Sequence, residues 1–216
     1  MNCCKCAEAC PYDAIEIVGK EYDTEKLYSE LMRDKEFYME SNGGVTFSGG
    51  EPLVRVFELV PVMRRLKDSG ISIVIETAGN VKWENFEIVL EFVDEFLFDI
   101  KCIDDDLHKR GTGSSNKLIL ENFGKLYKAE KNIVARIPIV PDFNADKKNI
   151  KDIAIFLQDY KNIRYVEFMP FHATASHKYE GMNLKNNFID YKSMDANSDM
   201  IKEFKDIFKS YNINIK

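Results

Sequence analysis

The sequence has no long apolar run. Nothing in its 216 residues approaches the roughly 18–20 consecutive apolar positions that a bilayer-spanning helix needs, so no membrane partner is expected. The first residues are neither basic nor apolar enough for a secretory signal, which makes the cytoplasm the default location. Positive charge is not in excess. The net charge of −6 argues against a nucleic-acid-binding surface. The phosphate-cradling patterns G-x-x-x-x-G-K-[ST] and G-x-G-x-x-G are missing, as is the G-x-S-x-G elbow of hydrolases. Cysteine is scarce beyond the amino terminus. Four of the five, Cys3, Cys4, Cys6 and Cys10, fall within the first ten residues, and Cys102 stands alone. Such crowding is wrong for a disulfide framework, which spreads its cysteines along a small secreted chain.

What is present fits one sizeable globular domain: 45% apolar and 31% charged residues, with enough length to bury a full core. The spacing Cys3-x2-Cys6-x3-Cys10-Pro11 reads as the end of the bacterial ferredoxin run C-x2-C-x2-C-x3-C-P. The first cysteine of that run would fall before Met1, so the ligand set is incomplete. Cys4 could substitute, four thiolates could take zinc as a small metal or electron-transfer module, or the cysteines could assemble nothing.

A charged helix is expected from Thr24 to about Phe37, capped by Asp23 or Thr24. Then comes Asn42-Gly43-Gly44-Val45-Thr46-Phe47-Ser48-Gly49-Gly50-Glu51-Pro52-Leu53: a short strand, a glycine turn and the start of a helix. Glycines remove the Cβ that blocks close approach, so such a loop can present its backbone to a small ligand. Beyond it, helical spacing alternates with β-branched runs. Strands are expected near 45–47, 71–75, 96–98, 133–140 and 165–169, with a polar, aperiodic loop at 173–199. Strands alternating with helices, without hairpin turns, imply βαβ units and a parallel sheet.

In parallel α/β folds ligands sit at the carboxyl ends of the strands. Each strand here delivers polar groups at or near that end: Ser48, Gly49, Gly50 and Glu51; Glu76 and Thr77; Asp99 and Lys101; His172. Arg136 lies inside the fourth strand. Taken singly, each has a structural explanation as a cap, a rim ion pair or a satisfied histidine. Together they predict a cavity for a zwitterionic ligand, with acids for an ammonium group and Lys101 and Arg136 for a carboxylate or ribose oxygens.

The motifs Gly43-Gly44-Val45-Thr46-Phe47-Ser48-Gly49-Gly50-Glu51-Pro52-Leu53, Glu76-Thr77-Ala78-Gly79 and Asp99-Ile100-Lys101 resemble those of the glycyl-radical-enzyme activating enzymes, which are radical S-adenosylmethionine (SAM) proteins. The similarity continues through Thr112-Gly113-x-Ser115-Asn116, Arg136-Ile137-Pro138-Ile139-Val140-Pro141 and Met169-Pro170-Phe171-His172. The resemblance implies a partial parallel (β/α)6 barrel over residues 21–216, lacking its first βα unit, with residues 1–20 as the remnant of a ferredoxin-like iron–sulfur insert. It places Gly49, Gly50 and Glu51 at the SAM amino group. Asp99, Ile100, Lys101, Arg136 and His172 would line the SAM site, the histidine near the ribose. Glu76, Thr77 and Asp99 match a site for a monovalent cation.

The implied activity is reductive cleavage of SAM to a 5′-deoxyadenosyl radical that takes hydrogen from a glycine of a partner glycyl radical enzyme, with reduced flavodoxin or ferredoxin as electron donor. One departure is large. The family's C-x3-C-x2-C motif, whose thiolates hold the 4Fe-4S cluster that chelates SAM, is absent. The expectation is therefore a truncated or split activase that is inactive alone. The alternative is a non-catalytic remnant that binds SAM or docks on the partner.

Overall fold

Alternating β-branched runs and amphipathic segments produce the expected rhythm. The computed structural model describes residues 5–12, 14–15, 17, 19–175, 179, 181 and 190–216. Among these residues five strands form one sheet in the order β1 (Gly44–Phe47), β2 (Ser72–Thr77), β3 (Glu95–Asp99), β4 (Asn132–Ile139) and β5 (Ile163–Pro170). All neighbouring pairs are parallel. Helices α4 (Val56–Asp68), α5 (Trp83–Val89), α6 (Asp105–Thr112), α7 (Lys117–Lys128) and α8 (Lys147–Leu157) lie in the crossovers, and a last helix spans Asp199–Ser210. This is the α/β architecture that the alternation predicts.

Side chains alternate across each strand. One set, including Ile73, Ile75, Phe96, Phe98, Ala135, Ile137, Val166 and Phe168, packs into a single core with Met63, Leu66, Phe86, Phe123, Ile153, Phe204 and Phe208 from the helices. Each fully buried large side chain stabilises the fold by about 1.5–3 kcal/mol. Phe98 is central, with Phe123 edge-on at 5.2 Å and Phe86 stacked at 6.4 Å between centroids. The opposite set, including Glu76, Leu97, Asp99, Arg136, Glu167 and Met169, is only partly covered. That face is the open face.

The single helix expected over 24–37 is broken. Asp23 does cap α2 (Thr24–Leu31), accepting from the Lys26 N–H at 2.8 Å. A 3-10 turn at Met32–Asp34 then separates it from α3 (Lys35–Ser41). Of this turn only Met32 packs against the core; Arg33 and Asp34 are exposed, so little holds the stretch to α-helical geometry. Among the described residues β1 pairs only with β2, leaving its other edge open. The far edge of β5 is partly covered, because Val166 donates to the Asn214 carbonyl at 2.8 Å and accepts from the Lys216 N–H at 3.0 Å. Of the expected loop, Ala173–Ala175 is a 3-10 turn, and most of 176–189 lies outside the described residues. The short helix α1 (Lys5–Glu8) has nothing buried, and none of the described residues before Leu27 joins the core. No helix among the described residues is long and apolar enough to cross a membrane.

Candidate ligand site on the open face

The glycine loop leaves β1 at Ser48. Gly49 and Gly50 have φ of 88° and 58°, a region that disfavours side chains, and no atom lies within 4 Å of where a Cβ would stand. The loop backbone is therefore strained for any other residue and open in front. Glu51 turns back beneath it. Its carboxylate accepts from the Thr77 hydroxyl, 2.9 Å from both oxygens, from Ala78 N–H at 3.0 Å and from Leu53 N–H at 3.3 Å. Thr77 is buried and also accepts from Gly79 N–H at 2.9 Å. Glu51 and Thr77 thus fasten the glycine loop to the turn after β2, and at Gly49 and Gly50 the loop's open surface is its backbone.

Glu76 points the other way. Ser48 donates to its Oε2 at 2.8 Å, and Arg136 Nη1 lies 2.6 Å from its Oε1. One carboxylate therefore links the glycine loop to β4. Arg136 has Asp99 as its cross-strand neighbour on one side and Glu167 on the other. Its Nη2 donates to Met169 Sδ at 3.2 Å. Glu167 Oε2 approaches Nε to 3.5 Å, yet Nε is buried and makes no hydrogen bond. The guanidinium is 13% exposed, and its unspent Nε–H is enclosed on the side of Glu167.

Lys101 stands 3.4 Å from Asp99. Burial pushes the Asp99 carboxyl up, Lys101 and Arg136 pull it back down, and Glu76 adds to the rise. Ile100 puts its side chain into the core and donates its N–H to the Arg136 carbonyl at 2.8 Å. His172 is exposed just beyond β5. Gly49, Gly50, Glu76, Asp99, Lys101 and Arg136 thus collect at one end and one face of the sheet, with His172 following β5 at that end, while Glu51, Thr77 and Ile100 sit behind it.

Buried asparagines brace this rim, a feature the motif reading passed over. Asn116 donates to the Cys102 and Ile103 carbonyls at 2.9 and 2.7 Å. Asn144 donates to the Lys101 and Pro138 carbonyls at 2.8 and 2.7 Å, and Asn149 to the Lys101 carbonyl at 3.2 Å. Asn122 holds the turn after β2 through the Gly79 and Val81 carbonyls at 2.8 and 2.7 Å. The available signal was an asparagine at an apolar position of a helix, as Asn122 beside Phe123. Glu167, on the same open face as Arg136, was also missed.

The cysteines do not join this site. Cys3 and Cys4 lie outside the described residues. Cys6 is exposed, and Cys10 Sγ accepts from Ala14 N–H at 3.3 Å. Backbone N–H groups of Tyr12 and Ala14 hold the Cys10 thiol below its ordinary range. Cys102 is buried, which pushes its thiol up to about 11. Among the described residues no three metal-binding side chains converge. These residues fit the polar parts of a SAM molecule but not a 4Fe-4S cluster. A separate cavity of about 390 Å³ lies at the amino end of β5, lined by Tyr160, Lys161 and Tyr211 among others. Its charged lining is limited to Asp159 and Lys161, so the convergent ionisable groups favour the open face as the site.

A model of the radical SAM superfamily matches residues 4–154. The trans-4-hydroxy-L-proline dehydratase activating enzyme of Clostridioides difficile is 38% identical over 207 residues, which cover 94% of this chain and 68% of that protein. The pyruvate formate-lyase-activating enzyme of Clostridium pasteurianum is 36% identical over 181 residues, covering 82% of this chain and 74% of that protein. The chain spans about two thirds of the length of several relatives that it matches. Among solved structures, a domain of pyruvate-formate lyase-activating enzyme from Bacteroides vulgatus superposes with a TM-score of 0.66 at 26% identity, covering 81% of this chain and 98% of that one. A radical SAM methyltransferase from Sphaerobacter thermophilus gives 0.63 at 12% identity, over 90% of this chain and 57% of that one, and shares the fold.

Proposed function

The chain belongs to the radical SAM superfamily, among its glycyl-radical-enzyme activating enzymes, and from that premise we propose that its open face is the SAM-binding half of an activase site. In this family SAM, held beside a 4Fe-4S cluster, supplies the 5′-deoxyadenosyl radical. The observation that carries the reading is the link from Ser48 through Glu76 to Arg136, which joins the glycine loop to the ionised face of β4. The backbone of Gly49 and Gly50 receives the ligand's amino group. Lys101 and Arg136 serve its carboxylate or ribose oxygens, with His172 on the ribose side. Glu76 and Asp99 supply oxygens for a monovalent cation. Glu51, Thr77 and the asparagines hold these groups at their places.

The sequence contains no C-x3-C-x2-C motif, which supports reading this chain as the part that binds SAM rather than the part that cleaves it. On this reading residues 1–20 are the end of a ferredoxin-like insert, the partner is a glycyl radical enzyme, and electrons come from a reduced flavodoxin or ferredoxin. The test is anaerobic reconstitution with iron and sulfide, followed by assay for 5′-deoxyadenosine under strong reductant. No product is expected from the chain alone, while calorimetry detects SAM binding. Turnover by this chain alone would refute the split between binding and cleavage.

A further inference from the structure

The nitrogens of Arg136 are engaged unequally. Nη1 lies 2.6 Å from the Glu76 carboxylate, and the buried Nε faces Glu167 without a hydrogen bond. Nη2 donates to Met169 Sδ at 3.2 Å. A thioether is a weak acceptor, so this is the partner that a ligand oxygen can replace most readily. Met169 follows Glu167 by two residues on β5 and shares its open face, where it stays partly exposed. The other described methionines stand elsewhere. Met63 is sealed in the core, Met32 and Met194 pack against it, and Met39 and Met200 are exposed on helices.

Resting on the SAM reading above, we propose that Met169 is an oxidation site that controls this donor. Hydrogen peroxide converts its thioether to the sulfoxide, and the sulfoxide takes Nη2 out of ligand binding. The bond to Arg136 uses one sulfur lone pair and leaves the other to attack a peroxide oxygen. The S–O bond forms as the O–O bond breaks, and the departing hydroxide takes the proton from the transferred oxygen and leaves as water. Sulfur gives up the electron pair that the peroxide gains. The product is polar where the thioether was apolar, and the flexible side chain can turn its new oxygen toward Nη2. An N–H held by that stronger acceptor is lost to the ligand's carboxylate or ribose oxygens, and SAM affinity falls.

The experiment exposes the full chain and its Met169→Leu variant to graded hydrogen peroxide. Peptide mass spectrometry follows the oxygen gained at each methionine, calorimetry gives SAM affinity, and melting curves confirm that the treated chains stay folded. Oxygen at Met169 should lower SAM affinity roughly threefold to tenfold, the worth of one hydrogen bond, and methionine sulfoxide reductases should restore it. Across the dose series the loss should follow the oxygen at Met169 and not that at Met39 or Met200. Whatever affinity M169L has should be the same before and after peroxide. An equal fall in M169L, a loss that follows Met39 or Met200, or full affinity with Met169 oxidised overturns the proposal and leaves the SAM site standing. So does a loss that persists once Met169 is reduced, or a Met169 that gains no oxygen while Met39 and Met200 do. Absence of SAM binding by the untreated chain overturns the SAM reading along with it.

Discussion

The two faces of one sheet obey opposite rules. On the covered face, Ile73, Ile75, Phe96, Phe98, Ile137 and Phe168 are sealed under helices and serve stability. On the open face, one residue further along each strand, Glu76, Leu97, Asp99, Arg136 and Glu167 stay partly exposed, and most of them carry charge. The same backbone ladder supports both. A period of two therefore lets stability and chemistry be adjusted separately, and substitutions on the two faces should behave differently.

The largest effect belongs to the covered face. Phe98→Ala should destabilise the chain by about 3–5 kcal/mol in urea unfolding, because it empties the centre of the aromatic cluster and also removes the ring against which Gly79 packs. A loss under about 1 kcal/mol would mean the covered face is not the main source of stability.

An intermediate effect is expected at the join between the faces. Asn144→Ala leaves the Lys101 and Pro138 carbonyls without this donor and removes the acceptor of the Val140 N–H. It should cost about 1–3 kcal/mol and speed amide exchange in residues 101–104. Unchanged exchange there would show that the loop carrying Lys101 does not depend on the asparagine brace.

The smallest effect has the opposite sign. Burial raises the Asp99 carboxyl, so the folded chain holds that proton more tightly than the unfolded chain does. The associated stability is present in acid and is lost as pH rises through the raised folded value. At neutral pH the ionised carboxylate is a cost, and Asp99→Asn should raise the melting temperature by about 1–3 °C. The gain should fade below about pH 4, the ordinary aspartate range, where both chains are uncharged at this position. A lower melting temperature at neutral pH would mean that the Lys101 pair outweighs burial.

The covered face was legible in the sequence because β-branched and aromatic runs repeat there, and all five strands fall close to where those runs lie. Their ends were less legible. The second strand, expected at 71–75, runs on to Thr77, and the third includes Asp99. Glu76 and Asp99 are tolerated because their side chains face open space, and the buried Thr77 because its hydroxyl is hydrogen-bonded to Glu51. The motif residues of the open face were legible as a group, but the division of labour was not. Nothing in Gly49-Gly50-Glu51 says that the glutamate turns behind the sheet to hold Thr77, because that depends on a contact 26 residues away. Glu167 and the buried asparagines were missed for the same reason: their partners are distant in sequence.

The most direct test is hydrogen exchange of the chain with and without SAM. Slowed exchange should appear together at residues 48–53, 76–79 and 99–103, the glycine loop and the rim bound to it. No slowing at saturating SAM, or slowing confined to the cavity beside Tyr160 and Tyr211, would contradict the assignment of the open face as the SAM site.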